Sequence, residues 1–182
     1  MSDPKLLLIS GSLRTEATNR KLTREAARLF GAAEVVEADL RFPLYDGDQE
    51  ADSGIPEAVQ RLTDQIAAAD AVVISTPEYN KGPSGVLKNA LDWVSRTEGN
   101  PWKDKPVAVM SAAAGRAGGE RAQMILRSFL VPFRPHVVPG PEVHLAGSRE
   151  AFDEAGQLTS EQYIKTLTEL MTQLRAVATG RS

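Results

Sequence analysis

Between Ser10 and Asn19 the chain reads Ser-Gly-Ser-Leu-Arg-Thr-Glu-Ala-Thr-Asn and then enters a run with helical apolar spacing. Small hydroxyl side chains at Ser10, Ser12 and Thr18, with Arg14 as the one cation, thus precede a helix N-terminus. There, backbone amides and hydroxyls can donate together to a terminal phosphate. The same residues also describe an ordinary capped helix, since Thr and Asn are common caps. A dinucleotide-binding glycine pattern is absent, and so is a P-loop: Glu16 stands where the second glycine belongs and no Gly-Lys pair follows.

A second stretch, Thr76-Pro77-Glu78-Tyr79-Asn80-Lys81-Gly82-Pro83-Ser84-Gly85, is stiffened by two prolines and opened by two glycines. A flat aromatic ring can lie against Tyr79 while backbone amides reach its polar edge. A plain strand-to-helix turn would explain the glycines but not Glu78-Tyr79-Asn80. The third stretch, Ser111 to Gly119, is built of Ser, Ala and Gly around Arg116.

The elements that must position these loops follow from periodicity. Continuous apolar runs at Leu6–Ile9, Ala71–Ile74 and Val107–Met110, with shorter ones at Val35-Val36 and Val137-Val138, predict strands. Continuous rather than alternating runs mark strands covered on both faces. Between them come helical stripes: Leu22, Ala26, Leu29, Phe30; Val59, Leu62, Ile66, Ala69; Leu87, Ala90, Leu91, Val94; Ala122, Ile125, Leu126, Phe129; and Ile164, Leu167, Met171, Leu174. Pro56 suits a helix's first turn, Pro106 a strand start and Gly180 a helix end. Alternation of this kind predicts an α/β fold: a doubly wound five-stranded parallel sheet between two helical layers, in one domain spanning 1–182. Segments 40–54 and 139–159 read as surface loops. In such a sheet, ligands bind beyond the carboxyl ends of the strands, and all three unusual loops leave from those ends.

Composition sets the outer limits. With 182 residues and 42% hydrophobic content, one core is readily buried. The absence of cysteine excludes disulfides, thiolate catalysis and iron–sulfur ligation. A net charge of −3 argues against nucleic acid as a partner. It also falls short of the strongly acidic surface of an electrostatically docked electron carrier. The N-terminal run Met1-Ser2-Asp3-Pro4-Lys5 leads straight into a strand, and no stretch has the length of a membrane span. The expectation is a cytoplasmic protein without a membrane partner.

Taken together, the three loops resemble a known family. Gly11-Ser12-Leu13-Arg14 followed by Asn19-Arg20-Lys21-Leu22 resembles the phosphate-loop signature of the NADPH-dependent FMN reductases. Pro77-Glu78-Tyr79-Asn80, followed by Gly85-Val86-Leu87-Lys88-Asn89-Ala90-Leu91-Asp92-Trp93, is similar to that family's second block. Gly118-Gly119-Glu120-Arg121-Ala122-Gln123 is similar to its third. The branch most like this chain holds the bacterial quinone and chromate reductases.

The resemblance implies a flavodoxin-like fold, FMN as cofactor, NADPH or NADH as electron donor, and a quinone, azo, nitro or oxidised-metal acceptor reduced by a ping-pong mechanism. It implies a homodimer or homotetramer, with Arg121 and Glu142 at positions of an inter-subunit charged pair. Site residues follow by position. Ser10, Ser12, Leu13, Arg14, Thr18 and Asn19 would surround the phosphate, and Pro77, Glu78, Tyr79 and Asn80 would line the flavin ring. Ser111, Ala113 and Gly115 would close its other side. No side chain need act as nucleophile or acid. The chain departs from the pattern at Ala17, where the family often has serine, and at Ser84, Ala113 and Met124. An electron-carrier flavodoxin and a flavin-occupied regulatory protein stay open as alternatives.

Other signals have plainer readings. Arg20, Arg24 and Arg28 at four-residue spacing form a basic helix stripe, either a solvated face or an attractor for the NADPH 2′-phosphate. His136 and His144 lack metal-ligand spacing, and no metal is expected. Gly82-Pro83-Ser84-Gly85 lacks the final glycine of a hydrolase elbow, Val86 standing in its place. Trp93 and Trp102 read as core and rim packing.

Overall fold

The computed structural model describes residues 3–180, so Met1 and Ser2 of the N-terminal run lie outside it. The elements in chain order are β1 (Lys5–Ser10), α1 (Thr18–Phe30), β2 (Glu34–Glu37), α2 (Gly47–Ser53), α3 (Glu57–Ala68), β3 (Ala71–Thr76) and α4 (Gly85–Val94). They continue with β4 (Pro106–Ala112), α5 (Glu120–Leu130), a 3-10 turn (Val131–Phe133), β5 (His136–Val137), β6 (His144–Leu145) and α6 (Glu161–Ala178). All strand pairs are parallel, in the order β2-β1-β3-β4-β5, with β6 also on β4. From β1 the chain first winds outward to β2, then returns across to β3. The switch point therefore lies between β1 and β3, beneath the first two loops.

Successive strand residues point to opposite faces, so each continuous apolar run feeds two cores. Leu6, Leu8, Val73, Ala108 and Met110 pack with Leu22, Ala26, Leu167, Met171 and Leu174 of α1 and α6. Leu7, Ile9, Val72, Ile74 and Val109 pack with Leu62, Ile66, Leu87, Leu91 and Leu126 of α3, α4 and α5. On α5 the buried face is Ala122, Gln123, Leu126 and Leu130, leaving Ile125 and Phe129 only half-buried. Trp102 is a core residue rather than a rim one.

Two loop expectations are corrected. Segment 40–54 contains α2, which buries no residue and is capped by Asp46, whose side chain accepts from the Asp48 amide. Segment 139–159 contains β6. The fifth strand position is thus shared by two short pieces, β5 on Pro106–Val107 and β6 on Ser111–Ala112. Pro139 and Pro141 lack the N–H that a continuous ladder requires, and the chain detours between them. Tyr163 of α6 holds β6 in place: its hydroxyl donates to the His144 carbonyl and accepts from the Ala146 amide, each at 3.1 Å.

The arginine stripe of α1 is taken up by carboxylates. Arg24 makes two bonds to Glu37 of β2, Arg20 reaches the same carboxylate, and Arg28 is paired with the buried Glu25. The Arg24 hydrogen bond holds the Glu37 pKa below the ordinary carboxylate value. His136 and His144 sit at opposite ends of the β4 edge. Among the described residues no helix is long and apolar enough to cross a membrane.

Candidate flavin site

Above the carboxyl ends of β1, β3 and β4 lies an open cleft of about 410 Å³, inside the ~300–1,000 Å³ span usual for small-molecule sites. Its walls come from four segments. Ser12, Arg14, Glu16 and Ala17 belong to the β1–α1 loop, and Thr18, Asn19 and Lys21 to the start of α1. Pro77, Glu78 and Tyr79 follow β3, Ala112, Ala113 and Ala114 end β4, and Ser148 and Arg149 follow β6.

The first two loops are pressed together at the switch point. The Gly11 amide donates to the Ser75 carbonyl at 2.8 Å, and the Ser84 hydroxyl donates to the Gly11 carbonyl at 2.6 Å. A Cβ on Gly11 would stand 2.6 Å from Leu87 Cδ1, so any larger residue would have to displace the Leu87 side chain.

At α1 the N-cap position is Ala17, which offers no side-chain cap. The first helical bonds run from Arg20 and Lys21 to the Ala17 carbonyl. The Thr18 and Asn19 amides have no partner among the described residues. By contrast, Ser84 and Ser160 cap α4 and α6 with their own side chains. An uncapped helix start facing a cleft is an anion site when cations stand beside it. Arg14 and Arg149 do so, both exposed and neither hydrogen-bonded nor ion-paired through its side chain among the described residues. Lys21 is paired with Glu16 at 3.4 Å.

The loop after β3 supplies Pro77, Glu78 and Tyr79. Tyr79 and Gly82 exchange two backbone hydrogen bonds around a two-residue turn, with Asn80 and Lys81 at φ of 51° and 71°. This tight hairpin fixes the half-exposed Tyr79 at the rim. Glu78 is not poised as a base: its carboxylate accepts from the Ala122 amide at 3.2 Å and so caps α5. The donor set therefore fits an amphiphile with one doubly anionic end and one flat aromatic end, as FMN is.

Eight of the residues singled out from sequence stand at the cleft: Ser12, Arg14, Thr18, Asn19, Pro77, Glu78, Tyr79 and Ala113. Asn19 presents itself there differently from expectation. Its carboxamide faces inward, donating to the Ala112 carbonyl and accepting from the Ala112 amide and the Ser75 hydroxyl, at 2.7–3.1 Å. That side chain clips α1 to β3 and β4, leaving only its backbone amide for a ligand.

Five residues stand behind or beside the cleft. Ser10 accepts from the Ser12 amide and shapes the loop. Leu13 packs against the α3/α4/α5-side core. Ser111 turns its hydroxyl to the Gly118 carbonyl and Gln123. Asn80 forms the hairpin turn, and Gly115 lies exposed. Glu16, Lys21, Ala112, Ala114, Ser148 and Arg149 also line the cleft, without a site role that the sequence motifs assign. Ala112 and Ala114 continue a strand whose neighbours had been named. Ser148 and Arg149 gave no signal, because their arrival depends on the pairing of β6.

Residues 4–150 match the family described as NADPH-dependent FMN reductase. The chain belongs to that family. It is 44% identical to an NAD(P)H-dependent FMN reductase of Pseudomonas aeruginosa over 88% of this chain and 87% of that one. A quinone reductase of Escherichia coli K12 is 39% identical over 76% of this chain and 75% of its own length. Among solved structures, FerB of Paracoccus denitrificans, a flavoenzyme NAD(P)H:(acceptor) oxidoreductase, superposes with a TM-score of 0.87 at 32% identity, covering 98% of each chain.

Proposed function

We propose that this chain is an FMN-dependent NAD(P)H oxidoreductase that passes two electrons to a quinone or a similar small acceptor. The observation that carries this reading is the composition of the cleft: free guanidinium groups and uncapped helix amides line it together with Pro77, Tyr79 and the Ala112–Ala114 stretch. When bound, FMN supplies hydride chemistry between donor and acceptor. The residues supply placement. Arg14, the Ser12 hydroxyl and the Thr18 and Asn19 amides hold the phosphate, while Pro77 and Tyr79 flank the ring. Glu78, by capping α5, ties the β3 loop to the β4 loop so that the two sides of the slot keep their spacing. Ala112, Ala113 and Ala114 let a ring approach the backbone closely.

The cleft opens to solvent between the β3 and β4 loops, and in this reading donor and acceptor meet the cofactor in turn at that one open face. Initial rates against NADPH at several quinone concentrations are expected to give parallel double-reciprocal lines. Intersecting lines, together with a measured ternary complex, would reject the shared face. Anaerobic mixing of the FMN-loaded protein with NADPH and with NADH is expected to bleach the flavin with at least one donor.

Assembly into a homodimer, or a tetramer of two dimers, is part of the same proposal. Met124 on α5 and Val131 just after it are 66% and 70% exposed. Glu142 already faces Arg127 of its own chain at 3.9 Å, so Arg121 is the freer of the two charges earlier placed between subunits. Light scattering is expected to report a dimer or larger, reduced in size by Arg121→Ala while FMN affinity is retained. A wild-type monomer with full turnover would discard the assembly.

A further inference from the structure

We infer that Arg149 is a second cation on the cofactor's phosphate, reaching it from the segment after β6 rather than from the β1–α1 loop. The inference rests on the flavin reading above and adds a residue that the three sequence motifs do not contain.

Arg149 lines the same cleft as Arg14, yet arrives from a segment more than 130 residues away. Its place is set from behind. Ser148, only 2% exposed, donates its amide to the Ala113 carbonyl at 3.2 Å. The Ser148 hydroxyl accepts from the Thr18 hydroxyl at 3.1 Å. Thr18 is the first residue of α1 and owns one of the two unpartnered amides. The residue following Ser148 is therefore delivered beside the helix start, where the uncapped amides lie.

Charge makes the same assignment. A phosphate monoester carries close to two negative charges near neutral pH. Lys21 is matched by Glu16, which leaves Arg14 and Arg149 as the cleft-lining cations without an acidic partner among the described residues. Two guanidinium groups from separate segments balance a dianion, and each can give the forked, two-bond contact that a lysine cannot. The phosphates of a dinucleotide share this chemistry. The hydroxyl link to Thr18 ties Arg149 to the helix start and so favours the flavin's own phosphate.

The test is titration of the apo protein with FMN and with riboflavin, followed by flavin fluorescence, for wild type, Arg149→Ala, Arg149→Lys and Arg14→Ala. Arg149→Ala is expected to weaken FMN roughly ten-fold and leave riboflavin unchanged. Arg149→Lys is expected to recover part of the loss, and the salt dependence of FMN binding to fall in Arg149→Ala. Equal weakening of both flavins would mean that the residue merely supports its loop. Unchanged binding of both, or unchanged FMN binding with a raised KM for NADPH, would also overturn the inference. If wild type binds neither flavin, the cofactor reading falls and takes this inference with it. If Arg14→Ala discriminates FMN from riboflavin and Arg149→Ala does not, only the inference falls.

Discussion

Replacing Asn19 with alanine is expected to destabilise the apo protein by about 3 kcal/mol, the largest effect of any single change at the cleft. The carboxamide meets three groups at once: the Ala112 carbonyl, the Ala112 amide and the Ser75 hydroxyl. Residue, partners and bonds are all buried. Truncation leaves three polar groups without partners, each costing about 1–3 kcal/mol where water cannot enter. The cleft admits water on one side, which sets the total near the lower end. For a chain of this length the melting temperature should fall by roughly 6–12 °C. Asn19→Asp retains the two acceptor contacts but turns a carboxylate oxygen onto the buried Ala112 carbonyl, and at neutral pH should be no more stable than alanine. Thermal unfolding of the three apo proteins decides the matter; an alanine variant that melts with wild type would show that the clip is not structural.

Arg14→Ala should loosen FMN by about ten- to a hundred-fold while leaving riboflavin indifferent. The net worth of a hydrogen bond to a charged group, about 1.5–3 kcal/mol, sets the range. The exposure of Arg14 to water draws the result toward its lower end. Ala17→Ser belongs to the same experiment. Ala17 occupies the N-cap of α1, so a serine hydroxyl there would accept from the helix's own first amides. The apo protein should gain about 0.5–2 kcal/mol of stability. FMN affinity should gain nothing, because the new hydroxyl engages the amides the phosphate needs. Calorimetry with both flavins reads every arm. If Arg14→Ala weakens riboflavin as much as FMN, the phosphate does not lie in this loop.

Legibility followed physical origin. The three long strands announced themselves as continuous apolar runs, and the five longer helices as stripes, because burial writes itself into side-chain type. Helix α2 buries nothing, so its sequence Gly-Asp-Gln-Glu-Ala-Asp-Ser has no stripe to read, and only its Asp46 cap marks it. The cleft loops were visible because Pro, Gly, Tyr and Arg are concentrated in them. What each side chain does there was less visible. Asn19 in a phosphate-type loop reads as a ligand donor, yet three strand and loop groups claim its carboxamide. Arg149 lies in a stretch of unremarkable polar residues. Its relevance arises only when Ser111 and His144 come into register.

The interrupted fifth strand bears on how this protein behaves in a crowded solution. An outermost strand displays a row of unused N–H and C=O groups, a template on which a second sheet can grow. Here that margin is two rungs of two residues, separated by Pro139, Gly140 and Pro141, too short and too broken to seed such growth. At the far margin, β2 is flanked by Glu34 and Glu37, both held in ion pairs with Lys5, Arg20 and Arg24, which deters a facing strand by charge instead. The two borders of one sheet are thus guarded by different means, and the proline border does a second thing. A chain freed from the ladder at Pro139 rejoins it further along β4, and from that later rung it carries Ser148 and Arg149 over the top of the sheet. A seamless fifth strand would present a longer sticky margin, and would leave the cleft open on its fourth side.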